Sequence, residues 1–251
     1  MTTEILLSGL FSIFSSFFGT FAGGGSAVLL LSFFLLTAQG SYLLFITLTK
    51  VSTLALALVS GNLHRKVTHL DWRLCVWMTL SGGMGVVLSM YLLQQHIDEN
   101  LLKKVVAVTL LTLCVYQAFF AKKLLHSQRK NAFTLKEVLT TMLVFFLLNI
   151  VHGISGGMGF MFVVYSASFL RMSYTQAIAY SMISGIPILL IQTLYLVNLS
   201  RPSSALWMLL VALGSILGAY FGTKFQYLKG DEWVKKASVV MMLVLGVTML
   251  F

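Results

Sequence analysis

The chain has 251 residues, 58% of them hydrophobic and only 10% charged, against about 25% charged in an ordinary soluble domain. So few charges cannot cover a water-soluble protein of this size, which leaves lipid as the expected solvent. The net charge of +10 sits mostly in short polar gaps between apolar runs. That placement points to membrane topology and lipid headgroups and not to the basic, aromatic-interleaved surface of a nucleic-acid binder.

The start, Met1-Thr2-Thr3-Glu4, lacks the positive region of a signal peptide, so the apolar stretch after it is expected to be retained. Apolar runs follow at about 5–18, 21–37, 42–60, 72–93, 101–121, 135–152, 157–170, 174–198, 204–226 and 233–251. This spacing predicts an all-helical polytopic membrane protein with no appended soluble domain. Cys75 and Cys114 lie inside apolar runs and read as small core residues. Gln117, Asn149 and Gln192 also fall in such runs, where hydrogen bonding between helices is the default.

The two halves are alike. Gly19 and Gly25 match Gly153 and Gly159 at an offset of 134, and Trp72 matches Trp207 at 135. Gly82 matches Gly214, and Lys103-Lys104 matches Lys235-Lys236, at 132. The reading is two membrane repeats, 1–121 and 135–251, joined by a basic cytoplasmic linker at 122–134. Each repeat is a glycine-broken helix pair plus three transmembrane helices. Each makes an odd number of crossings, so the second is inverted relative to the first. Placing the linker in the cytoplasm also puts Arg65, Lys66, Arg73, Arg171, Lys224, Lys229, Lys235 and Lys236 there. The outward gaps are then nearly free of net positive charge, as the positive-inside rule asks. Both termini are expected on the non-cytoplasmic side of the cell (inner) membrane.

Four stretches carry candidate chemistry. In Gly19-Thr20-Phe21-Ala22-Gly23-Gly24-Gly25-Ser26 three consecutive glycines break a membrane helix. Such a break is tolerated at membrane depth only where protein or water covers it. The helix that follows turns its positive end and free N–H groups toward the break, which suits an anion. Gly23, Gly24, Gly25 and Ser26 are therefore expected to bind substrate. The equivalent run, His152-Gly153-Ile154-Ser155-Gly156-Gly157-Met158-Gly159, adds Ser155, Gly156, Gly157 and Gly159. With inverted repeats the two breaks approach each other near mid-bilayer. Close helix packing by small residues is the bland alternative.

Lys50 stands near the middle of the 42–60 run, where a charge is costly and marks a functional candidate. No Asp or Glu inside a long span can pair with it, so a transported anion is one partner and a backbone carbonyl another. Counting 134 from Lys50 gives Ser184, which with Ser181 could complete an anion shell next to Pro187. Proline in that position is expected to kink the helix and free a carbonyl. His152 is the candidate for carrying a proton in coupled transport. No catalytic residue, metal ligand set or cofactor is read. The expected partners are a small anionic substrate and the lipid bilayer; no nucleic acid is expected, and a homo-oligomer stays open.

At the glycine runs, and at Val67-Thr68-His69-Leu70-Asp71-Trp72, the sequence resembles the TauE/SafE family of sulfite and organosulfonate exporters. The resemblance covers nearly the whole chain. It implies two similar halves, each opening on a glycine-rich break, and export of a sulfur oxyanion or organosulfonate. Neither run here is followed by the proline common in that family, and Lys50 occupies a stretch usually small and hydroxylated. Secondary transport by alternating access is the expected activity, with an anion channel as the alternative. A remote rival is an intramembrane serine hydrolase, because Gly153-Ile154-Ser155-Gly156 resembles the serine motif of rhomboid proteases. No histidine follows Ser155 to act as its base.

Overall fold

The computed structural model describes residues 2–38, 40–93, 107–108, 111–112, 114–115, 133–155, 159–202 and 204–248. Most of the 101–121 run, Lys103-Lys104, Gln117, all of the basic linker but its last two residues, Gly156 and Gly157 lie outside the described residues. The described chain contains nine helices and no strand. They are α1 (Thr2–Ala22), α2 (Ser26–Thr37), α3 (Tyr42–Val67), α4 (Trp72–Leu93), α5 (Leu135–Ser155), α6 (Gly159–Phe169), α7 (Tyr174–Ser200), α8 (Ala205–Lys229) and α9 (Asp231–Thr248). Six of them, α1, α3, α4, α5, α7 and α8, are long and apolar enough to cross a membrane. The protein is thus an all-helical, multi-pass membrane protein, and its outer face is studded with exposed Leu, Val and Phe that suit lipid.

Local chemistry places the helix starts. Ser41, Ser173 and Ser204 each accept a hydrogen bond from a first-turn N–H, of Leu44, Gln176 and Trp207, at 3.2 Å, capping α3, α7 and α8. Asp71 does the same for α4, its Oδ1 accepting from the N–H of Arg73 at 2.9 Å. The helix starts recur: 135 against 2, 159 against 26, 174 against 42 and 205 against 72 are offsets of 132 or 133.

Side-chain contacts fix the helix directions. On α8, Gly214, Gly218 and Gly222 lie against the backbone of Gly9, Ile13 and Phe17, so α1 and α8 are parallel in near backbone contact. Glycines four residues apart make that approach open, because a Cβ on any of them would strike the opposing carbonyl oxygen. The pairs Ser52–Ser215 at 2.6 Å, Ser60–Thr223 at 2.9 Å and His64–Tyr227 at 2.6 Å set α3 parallel to α8. On the other side Gly85 meets Phe146 and Ser89 meets Gly153, so α4 and α5 are parallel. Thr79 donates to the Ser184 carbonyl at 3.2 Å and Gly82 meets Ile188, which makes α7 parallel to α4. Between the groups, Thr47 bonds Ser200 at 3.0 Å while Gly61 meets Ile186, so α3 and α7 are antiparallel. One set therefore comprises α1, α3 and α8, and the opposite set α4, α5 and α7. Helices of like order, α1 and α5, α3 and α7, α4 and α8, run in opposite directions.

The helix α2 folds back along α1. The Phe11 and Phe33 rings stack at 4.3 Å, and Ser26 sits against Gly19. The pair is a hairpin with its tip at Gly23–Gly25. Helix α7 runs unbroken through Pro187. Both cysteines are free and buried.

Candidate functional site

The tip of the first hairpin turns on two glycines, Gly23 and Gly25, each at φ 83°. An L side chain pays about 1–2 kcal/mol in that region, so glycine is what makes the turn cheap. The Gly24 N–H donates to the Gly19 carbonyl at 2.7 Å and closes the end of α1. Helix α2 then starts with Gly25 as its N-cap, which offers no side-chain acceptor. Where α3, α7 and α8 spend a serine on their first-turn N–H groups, α2 has no side-chain cap among the described residues. Those groups carry the positive end of the helix dipole.

The second break lies against the first. A Cβ on Gly24 would stand 2.5 Å from the Phe160 amide nitrogen, and a Cβ on Gly159 would stand 3.2 Å from the Gly24 Cα. Between them is a cavity of about 70 Å³. Gly24, Gly25 and Gly159 line it from the breaks, Thr53, Leu56 and Ala57 from α3, and Ser181, Ser184 and Ile188 from α7. These α3 and α7 positions cluster around the midpoints of helices about 40 Å long. The cavity therefore lies at mid-depth of a bilayer whose apolar core is about 30 Å thick.

Its polar wall consists of Ser26, Thr53, Asn149, His152, Ser181 and Ser184. Several of these hydroxyl and amide donors are already engaged. Ser184 donates to the Tyr180 carbonyl at 2.6 Å, Thr53 to that of Thr49 at 2.7 Å, and the Asn149 amide to Phe145 at 2.8 Å. Ser26 and Ser181 carry no such bond among the described residues. The donors turned to the cavity among the described residues are thus the α2 N-terminus and two serine hydroxyls, with the His152 ring in the same wall. Phe145 and Phe162 add aromatic wall.

Lys50 is fully buried and stands one layer behind this wall. Its Nζ donates to the His152 carbonyl at 3.3 Å and lies 3.5 Å from His152 Nε2. His152 is in the last turn of α5, where carbonyls lack an intrahelical partner. The ammonium therefore caps the negative end of that helix, as a cation does best. The next carbonyl, of Gly153, accepts from Gln192 Nε2 at 3.0 Å. The carbonyl partner open to Lys50 from sequence is that of His152.

Of the residues singled out from sequence, Gly24, Gly25, Ser26, His152, Gly159, Ser181 and Ser184 meet at one cavity. Gly23 shapes the turn, with Ile178 and Val163 where its Cβ would be. Ser155 closes α5, its side chain outside the described residues like Gly156 and Gly157. Thr53, Phe145 and Phe162 were missed, since nothing in an all-apolar run tells which face turns inward. The Asp71-Trp72 pair lies away from the cavity. Asp71 caps α4 and its N–H donates to the Tyr180 hydroxyl at 2.6 Å, while Arg65 lies 5.9 Å from the Trp72 ring.

Residues 8–249 match the family described as Sulfite exporter TauE/SafE. The chain belongs to the TauE/SafE family. The match takes in both glycine breaks and every helix around the cavity. No curated protein and no solved structure matches the chain. This TauE/SafE protein is accordingly a multi-pass membrane protein of a transporter family named for sulfite export.

Proposed function

We propose that the chain is a secondary transporter that exports a small anion, a sulfur oxyanion or organosulfonate, across the cell membrane by alternating access around the central cavity. The observation that carries this reading is the uncapped start of α2 opening on a buried, mid-depth cavity where the two breaks meet. N–H groups of α2 and the Ser26 and Ser181 hydroxyls supply donors there, and the His152 ring stands in the same wall. The Lys50 ammonium adds positive charge behind His152 without occupying the space. In a low-dielectric interior such a charge is felt across several ångströms.

The opposed directions of α1 and α5, α3 and α7, α4 and α8 support reading residues 1–121 and 135–251 as inverted repeats; placing both termini outside rests on the loop charges alone. They also refine which bodies move. Near backbone contact makes α1 with α8, and α4 with α5, the stiff pairs, and each joins helices from both halves. Rocking then takes place between these pairs, at the α3–α7 crossing next to the cavity, and not between the two halves of the sequence.

The test is reconstitution of the purified chain into liposomes with radiolabelled sulfite. A carrier accumulates label by counterflow, saturates with substrate and responds to a proton gradient. Competition by sulfate, thiosulfate, taurine and acetate ranks the anions. Flux that rises linearly with sulfite and shows no counterflow would make the protein a channel, and absence of flux with every anion would end the anion reading.

A further inference from the structure

The end of α5 gathers oxygen atoms from three helices. The His152 carbonyl accepts from Lys50 Nζ at 3.3 Å, and the Gly153 carbonyl accepts from Gln192 Nε2 at 3.0 Å. Both carbonyls belong to the last turn of α5, where a helix carries its partial negative charge. Gln192 is fully buried, and its Oε1, on the same amide carbon as the bonded nitrogen, has no hydrogen-bond partner among the described residues. Ser89 of α4 brings a further oxygen, since a Cβ on Gly153 would strike its Oγ. Buried polar atoms are normally satisfied, so an open amide oxygen beside two helix-end carbonyls marks a place that suits a cation. Helix C-terminal ends and carbonyl oxygens are what membrane transporters use to hold sodium.

What stands there is the Lys50 side chain, reaching in from α3. No described carboxylate accompanies it. Glu4, Glu137, Asp231 and Glu232 lie in the first turns of α1, α5 and α9, and Asp71 caps α4. The negative partner of the amine is therefore the end of the α5 dipole itself. A cation from solution would have to be captured and released in every cycle. A cation on a covalent arm needs neither step, because the tether holds it at a high effective concentration.

We propose that the end of α5 is a monovalent-cation site whose occupant is the Lys50 ammonium, so that the chain carries its own counter-cation beside the anion cavity and transports without sodium. The charge stays on α3 throughout the cycle and does not cross with the substrate. Without the lysine arm the same oxygen atoms take a cation from solution. Lys50→Ala deletes Cγ, Cδ, Cε and Nζ, which are the heavy atoms of propylamine. The space they leave adjoins His152, whose Nε2 is 3.5 Å from Nζ and whose side chain lines the cavity. A small cation therefore reaches the site by the path the substrate uses.

The flux arm of the test rests on the transport reading above; the stability arm does not. In liposomes carrying the full chain, wild-type sulfite flux is expected to be the same in sodium and in choline medium. Lys50→Ala is expected to lose flux, and propylammonium chloride or sodium chloride to raise it again on the order of fivefold by occupying the site. The alcohol n-propanol, of the same shape without the charge, is expected to restore nothing. In detergent, with the additions present from purification onward, either cation is expected to raise the melting temperature of Lys50→Ala and to leave that of wild type unmoved. Lys50→Ser replaces Lys50→Ala should the latter fail to fold. Wild-type flux that requires sodium, rescue by n-propanol equal to that by propylammonium, or a folded variant that responds to neither cation overturns the proposal. If wild type carries no sulfite, the transport reading fails and the melting temperatures alone decide on the cation site.

Discussion

At the first break the chain turns on glycine alone. Gly23 and Gly25 adopt φ 83°, the Gly24 N–H closes α1 on the Gly19 carbonyl, and no side chain is spent on the helix ends. At the second break, side chains from two other helices hold the freed backbone. Lys50 of α3 takes the His152 carbonyl and Gln192 of α7 takes that of Gly153. One break thus turns a helix N-terminus without a side-chain cap to the cavity, while before the other the His152 and Gly153 carbonyls are already engaged. For an anion this division is favourable, since carbonyl oxygens facing the same space would repel it. The two breaks thus differ in how their helix ends are met, and Lys50 and Ser184 stand 134 residues apart, the same count that separates Gly19 from Gly153 and Gly25 from Gly159.

The comparison breaks most readily at Gly25. Gly25→Val places a side chain at positive φ, where the Cβ alone would be 2.5 Å from Phe160 Cε2 and 2.8 Å from Leu245 Cδ1. Backbone strain of about 1–2 kcal/mol and overpacking of about 1–3 kcal/mol are expected together. Sulfite flux should fall to background and the melting temperature in detergent should drop. Lys50→Met comes next. Loss of a charged hydrogen bond, worth about 1.5–3 kcal/mol, corresponds to about 10- to 100-fold in flux if the charge is felt by the substrate. Flux equal to wild type would reduce Lys50 to a helix cap. Gln192→Leu removes a neutral bond worth about 0.5–1.5 kcal/mol from the same helix end. It should cost only a few-fold, and a loss as large as that of Lys50→Met would mean that capping, and not charge, matters at the second break.

How far these features could be read from sequence follows from what each depends on. The positions of the breaks depend on local glycine content, and Gly23–Gly25 and Gly153–Gly159 were legible with the helices on either side. That the breaks meet was expected from reading two repeats with an odd number of crossings each, and Gly24 does lie against Gly159 and Phe160. The partner of Lys50 was not legible as a unique choice. It depends on α3 passing the end of α5, a meeting of residues 102 apart. Thr53, Phe145 and Phe162 could not be told from lipid-facing neighbours, because spans apolar all round carry no inward stripe. The pairing of α1 with α8 was hidden for a related reason. Gly214, Gly218 and Gly222 stand four apart, as a packing stripe does, but sequence alone does not name the opposing helix.

The smallest effect is expected at a glycine that neither turns nor packs. Gly82 and Gly85 of α4 adjoin α5 and α7: a Cβ on Gly82 would stand 2.6 Å from Ile188 Cδ1, and one on Gly85 would strike the Phe146 carbonyl oxygen. Gly83 between them has nothing within 4 Å of where a Cβ would be, and it lies within a continuous helix. Gly83→Ala should therefore leave sulfite flux unchanged and raise the melting temperature slightly, since alanine is favoured over glycine by about 1 kcal/mol inside a helix. Gly85→Ala in the same experiment should lower it. If Gly83→Ala instead abolished flux with the fold intact, α4 would have to flex at that position during transport. The stiff α4–α5 pair, on which the placement of the moving boundary depends, would then have to be given up.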